Sequence, residues 1–232
     1  PNDFGFPGDR PTHPKLLDWL ADDLVKNGWK LKRLHKLILT SAVFMQSSEF
    51  DEARAKIDPE NNFLWRRTPR RLEAEAIRDA MLAVSGQLDE TMFGPGTLDQ
   101  NSKRRSVYFT VKRSELIPMM MLFDWPEHMV SIGLRSTTTI APQALMFMNS
   151  PQGRAYAQTT ATRVRQDGLA ESIAAAYQTT LARTPGADEA ALALKFVETQ
   201  KNLYGNDKNA ADRALADLCQ MLFASSEFVF ID

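Results

Sequence analysis

The chain has 232 residues, of which 44% are hydrophobic and 25% charged, and its formal net charge is −1. This composition is typical of a globular protein that can bury a core without disulfides or metals. The net charge excludes an overall positive field that would attract nucleic acid. No run of the sequence approaches the roughly 20 apolar residues of a membrane span. The single cysteine excludes an internal disulfide framework.

Three helices are predicted in the first part of the chain. Residues 1–13 are rich in Pro, Gly and Asp, which indicates a lead-in loop. Apolar residues then recur at helical spacing over 14–28, from about 30 to 47, and over 69–86. Glycines close the first and third of these patterns, and a proline lies in the first turn of the first.

The middle of the chain has no regular pattern. Residues 88–103 indicate an exposed loop, 106–111 is the one convincing strand candidate, and 114–141 has no clean period. Helical spacing then returns for the rest of the chain. The predicted helices of this part are 142–148, 150–165, about 173–184, 188–205 and 209–222.

The apolar positions predict the buried faces. Leu192, Phe196 and Val197 should point inward from the helix over 188–205. Met119–Met121 and Phe123 predict that the irregular segment is buried rather than disordered. We therefore predict an all-α fold of about eight helices, with an irregular central segment and at most a small β element.

The domain prediction is a single helical domain fragment covering residues 1–232, with two possible subdomains, 1–103 and 104–232. Because the sequence starts at Pro1 and not at a methionine, we expect a fragment truncated at its N-terminus. No secretory signal is recognised in these residues, so any targeting signal would lie outside them.

Two carboxylates share a face of the helix over 69–86. Glu75 and Asp79 lie four residues apart, a spacing that could support acid–base chemistry if burial separates their pKa values. Arg71 and Arg78 lie on the same side at pairing distance. We therefore prefer a structural salt-bridge network to a catalytic pair.

The three histidines are His13, His35 and His128, and none has a partner at metal-binding helical spacing. Asp124, Glu127 and His128 do cluster and could build a hard-metal or water-activating site. An ordinary polar turn is the preferred interpretation, because metal sites usually recruit a recognisable ligand set. We expect no metal and no cofactor.

The irregular segment is the best candidate for a site. A buried backbone without ladder partners needs long polar side chains to bind its amides and carbonyls, and the same side chains could line a cleft. We predict that four of them lie close together as a binding or buried polar cluster, with at least one arginine–aspartate pair partly buried. These residues are Arg105, Asp124, Arg135 and Gln143.

Basic residues interleave with aromatic rings over 103–113, a pattern that could hold single-stranded nucleic acid by charge and stacking. The near-neutral chain argues against this function, because a nucleic-acid-binding surface usually shows in the overall charge. We therefore predict that these side chains pair with nearby acids and that nucleic acid is not a partner.

Nine stretches match a known family and span nearly the whole chain in order. They are PTHPKLLDWLA at 11–21, GWKLKRLH at 28–35, QSS at 46–48, DPEN at 58–61, RLEAEAIRDA at 71–80, RRSVY at 104–108, FD at 123–124, TTIAPQAL at 138–145 and SSEFVFID at 225–232. On these residues the chain resembles the planctomycete-specific domain of unknown function 1553, the C-terminal domain of large proteins that often carry a cytochrome-c-like domain.

The resemblance implies an exported protein, periplasmic, on the cell surface or extracellular, whose partners are other domains of the same polypeptide, one of them a c-type cytochrome domain in many members. This chain has no Cys-x-x-Cys-His motif, so it attaches no c-type haem itself. Family members usually have a further helix before the position of Pro1 and commonly an arginine where Met45 stands. The family has no assigned catalytic residues, so none is carried over.

These observations favour a non-catalytic structural or interaction domain of an exported multidomain bacterial protein. The alternative is a hydrolase or redox-associated enzyme domain that acts on envelope or polysaccharide material through a cleft around 104–143. An enzyme predicts a concave pocket in which carboxylates and His128 converge. An interaction domain predicts an exposed apolar patch or a flat groove.

Overall fold

The computed structural model describes residues 6, 8–126 and 132–231. The chain divides into two compact units, one ending at Arg70 and the other formed by Arg71–Ile231. Within the described residues there are eleven helices, eight of them of at least seven residues, and one two-stranded sheet. This confirms the predicted helical class. The possible subdomains 1–103 and 104–232 stay a prediction.

The first unit contains α1 (Pro14–Lys26), α2 (Leu31–Leu39) and α3 (Glu52–Ile57). The turn between α1 and α2 has two residues at positive φ, Gly28 at 69° and Trp29 at 61°. Glycine tolerates this conformation freely because it has no Cβ.

The second predicted helix was too long, since α2 ends at Leu39 rather than near residue 47. The Thr40 and Ser41 hydroxyls donate to the carbonyls of Lys36 and Ile38 at 2.8 and 2.7 Å. Short polar side chains that bind nearby backbone in this way compete with helix continuation.

The second unit contains the remaining elements. They are β1 (Arg70–Arg71, starting one residue before the unit), α4 (Ala74–Val84), α5 (Pro118–Leu122), α6 (Ala141–Asn149), α7 (Pro151–Val164), α8 (Leu169–Leu181), α9 (Ala187–Leu203), α10 (Ala210–Phe223), α11 (Ser226–Val229) and β2 (Phe230–Ile231). The strands β1 and β2 pair with each other.

The core of the second unit is arranged around α10, which packs against α6, α7, α8, α9 and α11. Leu218 and Cys219 of this helix are fully buried, and burial raises the pKa of the Cys219 thiol to about 12. Thr160 of α7 is also fully buried, and its hydroxyl donates to the Tyr156 carbonyl at 2.8 Å. The buried hydroxyl therefore keeps a hydrogen bond without leaving its own helix.

The predicted strand over 106–111 does not form. Ser106–Tyr108 is a short 3₁₀ helix, and Phe109 makes only an isolated bridge with Thr97. The reason is a contact with a residue distant in sequence, because both the N–H and the hydroxyl of Ser106 donate to the Asp79 carboxylate, at 2.8 and 2.7 Å. These bonds hold the segment against α4 in place of a strand partner.

The apolar centre of the irregular segment is buried as its methionines predicted, whereas residues 132–140 are exposed apart from the half-buried Arg135. Met120 is 0% exposed and Phe123 2% exposed. Met120 lies in α5, a single turn of helix that starts at Pro118. Among the described helices, none combines the length and the apolar character needed to cross a bilayer.

Leu218→Ala should destabilise the second unit by about 2–5 kcal/mol, because it leaves a cavity beside α10 where the surrounding helices cannot fully collapse. The measurement is the free energy of unfolding by denaturant titration. Leu192→Ala is the matched control, since Leu192 is 68% exposed on α9, and it should change the value by less than about 0.5 kcal/mol. Equal losses in both variants would contradict this account of the core.

Candidate functional site

An ion pair between Arg71 and Asp124 lies at the centre of the irregular segment. Arg71 Nη2 lies 2.5 Å from Asp124 Oδ2, and the two side chains are 3% and 16% exposed. The same guanidinium donates to the carbonyls of Leu72 and Phe123, at 3.2 and 3.4 Å, and lies 5.3 Å from the Phe123 ring centroid. A buried charge of this kind needs such partners to offset its desolvation.

Asp124 connects three parts of the chain. Besides Arg71, its carboxylate accepts hydrogen bonds from the backbone N–H of Thr138 at 2.7 Å and from the Thr138 hydroxyl at 2.9 Å. Its backbone is in the left-handed region, with φ of 60°. Aspartate tolerates this conformation better than most residues. The turn therefore joins the end of α5 to the approach to α6.

Arg135 binds the first turn of α4. Its two terminal nitrogens lie 2.8 and 2.7 Å from the Glu75 carboxylate oxygens, and one of them lies 3.2 Å from Glu73. Burial alone would raise the pKa of Glu75, but the hydrogen bonds and charge of Arg135, together with hydrogen bonds from the Glu75 backbone and from Trp125, outweigh burial and lower the pKa. The carboxylate is therefore held ionised and bidentate, in a geometry suited to a structural role.

Asp79, one turn further along α4, holds the 3₁₀ helix through Ser106. Arg105 Nε lies 3.5 Å from its other oxygen, and the Arg105 side chain is 61% exposed. Arg78 is buried and donates to the carbonyls of Ser102 and Arg104, the second at 3.0 Å. We call the four side chains Arg71, Arg78, Arg135 and Asp124, with their partners, the arginine cluster.

The four residues singled out from the sequence are distributed over this region. Asp124 and Arg135 line one groove of about 260 Å³, together with Trp125 and Ser136. Gln143 lines a smaller pocket of about 110 Å³ that Arg71 also borders. Arg105 lines neither of these two pockets. The pairing partner of Asp124 is Arg71, whereas helical spacing had predicted that Arg71 pairs with the acids of the helix over 69–86.

Gln143 has a structural position. It is 5% exposed; its side-chain amide donates to the Leu122 carbonyl at 3.0 Å and accepts from the Ile140 N–H at 3.2 Å. These two bonds fasten the start of α6 to the end of α5. The assignment of the four residues as a ligand-binding cluster stays a prediction.

Arg71 was not among the four site residues predicted from the sequence. Its 53-residue separation from Asp124 gives no periodic signal, and only the Arg-rich run around it marked the position. Its Nε atom is buried and has no hydrogen-bond partner among the described residues.

The cluster has the chemistry of a closed structural network. Glu75, Asp79 and Asp124 each bind arginine and other donors, so none stands as an unengaged base. Within the described ranges, no group of three or more His, Cys, Asp or Glu is placed to hold a metal ion. Glu127 and His128 lie outside the described residues, so their predicted cluster with Asp124 remains a prediction.

The basic strip over 103–113 is partly used inside the fold. The Arg104 guanidinium lies 3.6 Å from the Tyr108 ring centroid and donates to the carbonyls of Thr91 and Pro95, both at 3.1 Å. Lys112 pairs with Glu115 at 2.9 Å. The Arg104 contacts fasten the 88–103 loop.

Fold and site together define a mainly helical domain whose irregular centre is held by buried arginines. A sequence profile of the family described as PSD1, protein of unknown function (DUF1553), matches residues 1–197. The chain belongs to this family, which confirms the resemblance to domain of unknown function 1553. No curated protein and no solved structure matches the chain.

Asp124→Ala should destabilise the second unit by about 3–5 kcal/mol, because it leaves the Arg71 charge buried without its counterion. The free energy of unfolding measures this. Glu115→Ala, which removes a surface ion pair with both side chains 51% exposed, should cost less than about 1 kcal/mol. If Asp124→Ala also lowers the free energy of unfolding by less than about 1 kcal/mol, the segment does not depend on the Arg71–Asp124 pair.

The Glu75–Arg135 pair should appear in the pH dependence of stability. The folded pKa of Glu75 is lowered from 4.5, so its contribution is present above the unfolded pKa and is lost as the pH falls through the folded pKa. Glu75→Gln should therefore flatten the fall in unfolding free energy over the acid range below 4.5. An unchanged slope in that range would exclude the pair as a contributor.

Proposed function

We propose that this chain is a non-catalytic interaction domain of an exported multidomain bacterial protein, and that the apolar face of α1 and α2 is its contact surface. The observation that carries the proposal is the exposure of large apolar side chains in the first unit. Neither α1 nor α2 contains a buried residue.

The exposed side chains are numerous for two short helices and their connecting turn. Each is between 40% and 69% exposed. They are Leu16, Leu17, Trp19, Val25, Trp29, Leu31, Ile38 and Leu39. Single exposed apolar residues are normal at a protein surface, whereas large contiguous apolar patches mark interaction sites, and eight such residues on two helices and their turn favour the second case.

The pattern along α2 supports the proposal, although Leu34 is half-buried while Leu31 and Ile38 are exposed. Leu31, Leu34 and Ile38 fall on one side of the helix, while Lys32 and Lys36 fall on the other. Burying one such side chain is worth about 1.5–3 kcal/mol. The face therefore carries enough apolar surface to hold a partner once several of these side chains are covered.

The partner that fits the proposal is another part of the same polypeptide. The family resemblance supports this choice, since related chains lie beside further domains, often one of the c-type cytochrome class. Export to the periplasm, the cell surface or the medium is proposed on the same basis. An apolar face that is covered permanently within one polypeptide avoids the aggregation that a free one would cause.

The alternative function is a hydrolase or redox-associated enzyme acting on envelope or polysaccharide material. The groove of about 260 Å³ beside Asp124, Trp125 and Arg135 is the observation that favours it. Against it, Asp124 already binds Arg71 and Thr138, and Arg135 already binds Glu75. The interaction function requires no change in these contacts.

Hydrogen exchange compares the isolated chain with the intact polypeptide that contains it. The amides of α1 and α2 should exchange at least about tenfold more slowly in the intact polypeptide, because covering the face suppresses local opening. Ile38→Glu should remove this protection, since it places a charge in the covered face. Leu192→Glu, on the exposed side of α9, is the matched control and should leave the protection unchanged.

Equal exchange rates in the isolated chain and the intact polypeptide would contradict the proposed contact surface. A measurable hydrolytic or redox activity of the intact polypeptide that Ser136→Ala abolishes, with stability unchanged, would support the enzyme alternative.

A further inference from the structure

The first unit contains a groove of about 570 Å³ between the first turn of α3 and the loop that carries Trp65. Two aromatic rings, Phe50 and Trp65, and several polar side chains line it. The apolar face of α1 and α2 does not supply its lining. The groove therefore carries a binding chemistry of its own.

Hydrogen bonds hold the two walls of the groove in place. The buried Asp58 carboxylate accepts from the N–H groups of Asn62 and Phe63 at 2.9 and 2.7 Å, and the Asp58 carbonyl accepts from the Trp65 indole N–H at 2.9 Å. The Gln46 side-chain amide donates to the Leu64 carbonyl at 2.8 Å. Trp65 is thus oriented before any ligand arrives, which lowers the entropic cost of binding.

The two aromatic rings contact each other and Phe50 remains accessible. The Phe50 and Trp65 centroids are 6.1 Å apart with an interplanar angle of 67°, and the Arg66 guanidinium lies 5.1 Å from both. Arg66 also donates to the Ser48 carbonyl at 3.4 Å. Phe50 nevertheless remains 61% exposed. An arginine that fixes two rings while one stays open leaves a preformed apolar platform.

Two of the three acidic side chains that line the groove pair with cations, one within the lining and one, Lys56, outside it. Asp51 caps α3 through the N–H groups of Ala53 and Arg54 and lies 3.3 Å from the Arg54 guanidinium, while Glu52 pairs with Lys56 at 2.9 Å. Among the described residues, Glu49 has no ion-pair partner. The groove therefore offers many hydrogen-bonding atoms but only a small residual negative charge.

We propose that this groove binds a pyranose unit of a neutral polysaccharide. A sugar ring presents an apolar C–H face, which suits the Phe50 platform, and a rim of hydroxyls, each able to donate and accept. Carboxylate and guanidinium groups that form an ion pair still have free acceptor and donor sites, so they can hydrogen-bond such hydroxyls while the ion pair is kept. The residual charge of Glu49 disfavours acidic sugars. Asp51 and Glu52 are each paired with a neighbouring cation, so they attract a cationic peptide only weakly.

The test is isothermal titration calorimetry of the full chain with four hexameric probes: cellohexaose, mannohexaose, hexagalacturonate and hexalysine. At least one neutral hexasaccharide should bind saturably, and Phe50→Ala should weaken that binding about tenfold, on the scale of one lost stacking contact. Phe93→Ala is the matched control, since Phe93 is 78% exposed in the second unit. It should leave the affinity unchanged.

Two further measurements separate binding from folding and charge. Bound sugar should shift the indole N–H resonance of Trp65 in the folded protein, and Phe50→Ala should keep the wild-type dichroism spectrum. Glu49→Gln should preserve neutral-sugar binding and admit hexagalacturonate. No saturable binding of either neutral probe, equal effects of Phe50→Ala and Phe93→Ala, or tighter binding of hexalysine would each overturn the proposal.

Discussion

The ion pair between Arg71 and Asp124 is the contact on which the irregular part of the second unit depends. Arg71 is the first residue of that unit, and Asp124 stands at the turn after α5 with a positive φ. Through Thr138 the same carboxylate reaches the approach to α6. A segment whose described residues form little regular structure besides the single turn of α5 is thereby fixed at its middle by one buried charge and its counterion.

Other arginines also hold irregular stretches of the chain by binding several oxygen atoms. Arg78 binds backbone carbonyls of the 102–104 stretch, Arg104 binds those of the 91–95 stretch, and Arg135 binds carboxylates of α4. The planar guanidinium can satisfy several acceptors at once, which a lysine could not do in the same geometry. The polar residues of this region thus bind the backbone and one another.

The helices could be predicted because their apolar spacing and their Gly and Pro boundaries are local signals, as in α1 and α4. The inward face of α9 was predicted only in part, since Val197 is buried as predicted, whereas Leu192 is 68% exposed. The polar partners could not be predicted, since Arg71 and Asp124 are far apart in sequence and spacing favoured the neighbouring Glu75. The strand over 106–111 failed for the same reason, because Asp79 lies 27 residues away from Ser106.

The position of α10 also shows that the family match and the folding unit end at different places. The match stops at residue 197, inside α9, whereas α10 begins at Ala210 and packs against five neighbouring helices. A piece of chain cut at the end of the match would expose the inner faces of α7 and α8 to water. The minimal length that folds is therefore set by the core around α10 and extends beyond the region by which the family is recognised.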